Sequence, residues 1–194
     1  KIGLWFGATP ETLLEIDKNS FTTMSLAGTQ NYQKDKDIVW GSKEIEEQQL
    51  VTNFIVSQLK PISDNLIVKE RETVKAGNLL HLQTKISGKI DFKNNSLTSL
   101  IRALHPTPAV CGLPRNVTKK FILDNENYDR TFYTGFLGEI NPQEKTELYV
   151  NLRCMEIKDK QAIVYVGGGI TKDSIAEKEW EETVAKSSTM KQIL

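Results

Sequence analysis

Residues 146–169 read TELYVNLRCMEIKDKQAIVYVGGG. The stretches 146–157 and 161–166 are rich in β-branched, aromatic and other apolar residues and are linked by the polar turn Lys158-Asp159-Lys160, so they read as successive strands. Gly167-Gly168-Gly169 ends the second. Outward from this pair, 131–140 reads as a further strand, and a final helix runs from about residue 174 to the C-terminus. Short helices at 97–104 and 116–123 flank HPTPAVCGLPR, residues 105–115, whose prolines and glycine exclude a regular helix and demand a shaped loop. Strands at 66–70 and 79–90 follow a helix over 42–59, which has Ser42 as its N-cap and apolar residues at Val51, Phe54, Ile55 and Leu59. The opening third gives strands at 2–6, 12–16 and 21–26, the last ending at Ala27-Gly28-Thr29, and suggests an antiparallel sheet. No internal repeat or linker interrupts this order. The chain reads as one α+β unit in which strands outnumber helices.

A chain of 194 residues, 39% hydrophobic and 26% charged, is long enough for a sizeable core. Its 25 basic side chains cancel its 25 acidic ones, so no overall field draws it to nucleic acid or an anionic membrane, although a local anion pocket stays open. Cys111 and Cys154 stand in apolar settings without a partner at metal-ligand spacing and read as buried thiols in a reducing compartment. No apolar run approaches the roughly 20 residues of a membrane span, and no secretory leader pattern opens the chain. The expected location is cytoplasmic. The chain starts at Lys1 without a methionine, and IGLWF at 2–6 already reads as a buried strand, as in a piece of a longer protein.

Charge stands where core is expected on two helices. In the last one, Ile175, Glu179, Glu182, Lys186, Met190 and Ile193 fall on one narrow stripe, apolar at its ends and charged in its middle. Taken alone, that stripe reads more readily as a solvated face with Glu182 and Lys186 as an i,i+4 ion pair. In the first long helix, Glu47 precedes Val51 by four residues and Phe54 by seven, which sets its carboxylate over the apolar stripe, while Glu46 points elsewhere. A buried unpaired carboxylate costs several kcal/mol, so it snorkels, pairs with a base or binds a cation. Three glutamates on two helices suit magnesium, a hard ion that prefers oxygen ligands. Zinc is disfavoured, since His81 and His105 are the only histidines and lack helical spacing. The glycine run at 167–169 and Ala27-Gly28-Thr29 permit close backbone approach to a ligand, but glycines after strands are more often simple turns. Arg153, mid-strand, is either an exposed alternate position or a carboxylate clamp, and His81 in LLHLQT is more often structural than catalytic.

The ordered series TPE (9–11), LAGT (26–29), SKEIEEQQLV (42–51), HLQTKISG (81–88), HPTPAVCGLPR (105–115), RTFYTGFLG (130–138), NLRC (151–154), VGGGI (166–170) and EKEWEETVAK (177–186) resembles the chorismate-utilising enzymes across nearly the whole chain. That family includes anthranilate, aminodeoxychorismate, salicylate and isochorismate synthases. The loop HPTPAVCG resembles the isochorismate synthases, whereas the aminating and salicylate-forming relatives usually begin it with Phe-Pro and carry threonine where Ala109 stands. The resemblance implies that residues 1–194 are the C-terminal part of a chorismate-binding catalytic domain, a two-sheet α/β sandwich with helices packed outside, whose N-terminal half is absent.

Carried over by position, the resemblance makes Glu47, Glu179 and Glu182 the Mg2+ ligands, gripping the ring carboxylate of chorismate through the ion. Arg153 and Tyr133 would contact the enolpyruvyl carboxylate, Lys186 and the amides near Gly167, Gly169 and Gly28 would complete an anion cradle, and Thr29 and His81 would line the ring pocket. Glu11 would be the general acid for the departing C4 hydroxyl, although a Thr-Pro-Glu sequence by itself more often gives a turn glutamate. The lysine that activates water in such enzymes lies upstream of the matching TPE segment and has no counterpart here. The resemblance therefore implies isomerisation of chorismate to isochorismate for menaquinone or siderophore synthesis. Other readings are a salicylate-forming or aminating relative, or a non-catalytic remnant of the fold. The chain alone is expected to be inactive and prone to self-association.

Overall fold

A computed structural model describes residues 3–34, 37–141 and 144–194. Among them the elements run β1 (Leu4–Gly7), β2 (Thr12–Asp17), β3 (Ser20–Asn31), α1 (Ser42–Leu59), β4 (Asp64–Val68), β5 (Glu72–Ala76), β6 (Leu79–Lys89), α2 (Leu97–Leu104), α3 (Pro108–Cys111), α4 (Arg115–Asn125), β7 (Phe136–Glu139), β8 (Lys145–Val150), β9 (Cys154–Lys158), β10 (Gln161–Tyr165) and α5 (Ala176–Lys191). The fold is α+β with two antiparallel sheets. The larger has the order β4-β6-β3-β2-β8-β7, with β5 also paired to β6, and the smaller is β1-β9-β10.

Apolar periodicity explains how these layers meet. Val51, Ile55 and Leu59 fall on one face of α1 and are buried, with Leu100 and Leu104 of α2, against Leu14, Phe21, Ile86, Leu148 and Val150 of the large sheet. Each such side chain removed from water stabilises the fold by roughly 1.5–3 kcal/mol. A polar pin runs through this interface. The buried amide Nε2 of Gln48 lies 2.9 Å from both Ser25 Oγ and Thr84 Oγ1, tying α1 to β3 and β6. Glu47, the next residue back on α1, is thereby fixed in depth over the strand ends.

The structure departs from the sequence reading at several joints, and these joints build the site. Residues 146–157 are not one strand. The chain leaves the large sheet after Val150 and enters the small one at Cys154, and Arg153 at the crossing has φ +46°. Strand β3 does not end at Ala27-Gly28-Thr29; it bulges there, with Gly28 at φ +70° and the pairing to β6 shifting between Ala27 and Gln30. Of 131–140, only Phe136–Glu139 is strand, because Thr131 and Thr134 take positive φ and turn the chain. The loop at 105–115 contains one helical turn, α3, whose Pro108 at the first position loses no needed N–H. Gly41, not Ser42, caps α1. The polar edge strand β5 has no clear apolar alternation and was not anticipated. Of the 2–6 segment, Ile2 lies outside the described residues, and the strand is Leu4–Gly7, exposed at Leu4 and Phe6 rather than buried. Cys111 and Cys154 are free and buried, as expected.

Candidate active site

Strands, helices and the loops between them meet around one small cavity of about 130 Å³, which is lined by Glu11, Gly28, Thr29, Glu47, His81, Ala109, Tyr133, Arg153, Gly167, Gly169, Glu182 and Lys186. Residues spread over 175 positions of sequence are brought together there. Of the residues singled out from the sequence, Glu179 alone is not in that lining. It lies beside it: a Cβ on Gly168 would stand 3.6 Å from Glu179 Oε2 and 3.8 Å from Glu182 Oε1.

The small residues are what let the acids in. A Cβ on Gly169 would approach Glu47 Oε1 to 2.8 Å, and one on Gly167 would approach the Tyr133 hydroxyl to 2.7 Å. The glycine run is thus a close crossing of backbone and polar side chains rather than a simple turn. Lys186 reaches back over it, donating to the Gly167 carbonyl at 3.1 Å and pairing with Glu182 at 2.6 Å. The i,i+4 pair anticipated from spacing therefore forms, but on a half-buried face rather than a solvated one.

Burial sets the protonation states. Glu11, 2% exposed, is pushed up to about 8 by desolvation, only partly countered by Lys186, so its carboxyl carries a proton at neutral pH. Burial also lifts Glu47 to about 7, with the charge of Glu182 adding to the rise. Desolvation holds His81 down at about 4, so the ring is neutral. Its Nδ1 lies 2.8 Å from the Gly28 carbonyl and must donate, which leaves Nε2 as the acceptor for Arg153 Nη2 at 2.5 Å. Arg153, 8% exposed, forms none of the ion pairs found among the described residues. A buried guanidinium without an anion is costly, and its free donors suit an incoming carboxylate.

The carboxylate cluster suits a hard cation by its donors. Glu179 Oε2 is buried without a hydrogen-bond partner among the described residues, and the charge of Glu182 raises the cost of ionising Glu47. As the side chains lie, no three His, Cys, Asp or Glu groups among the described residues stand close enough to chelate an ion. Lysines hold two of the three glutamates: Lys186 on Glu182, and Lys43 in an ion pair with Glu179. Lys43 escaped the sequence reading. Its signal was its position four residues before Glu47, one turn away on the same face of α1.

The chorismate binding enzyme family model matches residues 2–194. The chain belongs to the chorismate-binding enzyme family. Within that family it is 31% identical over 193 residues to the isochorismate synthase DhbC of Bacillus subtilis, covering 95% of this chain and 48% of that protein. Among solved structures, the menaquinone-specific isochorismate synthase MenF of Escherichia coli superposes with a TM-score of 0.85 at 27% identity, covering 96% of this chain and 45% of that one. Anthranilate synthase component I of Streptococcus pneumoniae follows with a TM-score of 0.82 at 26% identity, 96% of this chain and 43% of that one. The chain spans about half the length of the curated relatives it matches. No helix among the described residues is long and apolar enough to cross a membrane.

Proposed function

We propose that the full-length protein is an isochorismate synthase, converting chorismate to isochorismate for menaquinone or catechol siderophore synthesis. One observation carries the reading: Glu11, buried and pushed up to about 8, shares a cavity with a buried cation, Arg153, that pairs with no carboxylate among the described residues. A small dianionic substrate that must lose a hydroxyl group needs both. The relatives at about 30% identity support the same chemistry, and Ala109 in the HPTPAVCG loop favours it over the aminating and salicylate-forming reactions.

In this reading Arg153 and Tyr133 take the enolpyruvyl carboxylate, with Arg153 aimed by the neutral His81 ring. Lys186, Gly167, Gly169 and Gly28 complete the anion cradle, and Thr29 lines the ring pocket. Glu47, Glu179 and Glu182 would hold a magnesium ion, which when bound supplies the positive charge that neutralises the ring carboxylate. Glu11 gives its proton to the C4 hydroxyl, which leaves as water while a second water adds at C2 and the ring double bonds shift. The added water loses a proton to a general base, so atoms and charge balance.

The test is to incubate the full-length protein with chorismate and magnesium, with and without ammonia, and to separate the products. Isochorismate is the expected product. Release of pyruvate, or formation of an aminated ring, would overturn the assignment.

A further inference from the structure

Lys43 lies in the first turn of α1, where the helix dipole disfavours a cation and where acidic residues are the usual occupants. It is held there by carboxylates. Its ammonium pairs with Glu179 across 136 residues of sequence, and the charges of Glu47 and Glu182 act on it as well. One lysine thus sits in the field of all three proposed cation ligands. It also borders the two cavities next to the site, of about 650 and 700 Å³, so its flexible stem has room to swing aside. The other oxygen of Glu179 meanwhile is buried and has no hydrogen-bond partner among the described residues. A carboxylate with one oxygen on a displaceable ammonium and the other unsatisfied is poised to exchange one cation for another.

We propose that Lys43 is the internal counter-ion of the glutamate cluster and the residue that sets its affinity for a divalent cation. Its ammonium holds Glu179 when no metal is bound and leaves it when metal enters. The inference rests on the reading that Glu47, Glu179 and Glu182 form the cation site. The consequence is competitive: every metal ion bound must displace an ion pair already made, so the site binds metal more weakly than its three carboxylates alone would allow.

The experiment uses Mn2+ as the probe, with binding to the full-length protein read by electron paramagnetic resonance of the free ion and by the rise in melting temperature on adding metal. Lys43→Met is expected to bind Mn2+ roughly tenfold more tightly than wild type, to melt lower without metal, and to gain more on its addition. Lys43→Gln gives a second neutral side chain should the methionine variant fold poorly, and Lys43→Arg is expected to behave like wild type. Equal or weaker Mn2+ binding by the neutral variants, with wild type binding and Glu179→Gln losing it, would overturn the role of Lys43 and leave the cation site standing. No Mn2+ binding by any variant would overturn both.

Discussion

At the residue scale, the site is a set of groups whose burial has moved their protonation. Glu11 is the clearest, because activity in the proposed reaction needs its proton. Rate should therefore fall as pH rises through about 8, and Glu11→Gln should remove that limb while lowering the rate about 10²- to 10⁴-fold in a chorismate assay. Stability has a matching sign. The folded pKa lies above the ordinary carboxyl value of 4.5, so the proton stabilises the fold fully below that value and its contribution is lost as pH rises toward 8. Glu11→Gln should consequently melt higher than wild type at pH 9 and show less advantage at pH 5. Arg153 makes the converse trade. Arg153→Met removes a buried guanidinium that pairs with no anion among the described residues, and it should raise the KM for chorismate at least about tenfold without lowering the melting temperature.

At the scale of elements, α1 matters most, since it carries Lys43 and Glu47 and is held by both apolar packing and the Gln48 pin. Ile55 is fully buried at the centre of that contact. Ile55→Ala should cost about 2–5 kcal/mol in urea unfolding. The other decisive element is the crossing from β8 to β9. Its turn at Asn151 and Arg153 moves the chain between sheets, and the Ala8 amide donates to the Arg153 carbonyl at 3.1 Å to brace it. Without that change of sheet, Arg153 would be a mid-strand side chain on one face or the other, which is all the alternation of 146–157 allowed.

At the scale of the molecule, the small sheet is lopsided. The register aligns Leu4 with Ile157 and Ala162, and Phe6 with Met155 and Val164, so one face carries only apolar side chains. Leu4 and Phe6 on it are 54% and 43% exposed. Such a face drives association. Residues 1–194 made alone should show a sedimentation coefficient that rises with concentration, and Leu4→Lys with Phe6→Glu should suppress the rise. A monomer at every concentration would contradict this.

The sequence by itself determined the α+β class and most of the elements, because period-2 and period-3.6 patterns are local, while the candidate site residues came from the resemblance of its ordered motifs to a family. It left three things open that only the tertiary structure decided. Whether Glu179, Glu182 and Lys186 faced water depended on what packed over α5, and the glycine run 167–169 does so only through contacts remote in sequence. Where Arg153 pointed depended on a change of sheet made by a positive-φ residue, which no alternation signals. The ion pair of Lys43 with Glu179 joins two helices that lie at opposite ends of the chain. Spacing along one helix reports the neighbours within it; the charge that reaches it from another helix is set by the fold.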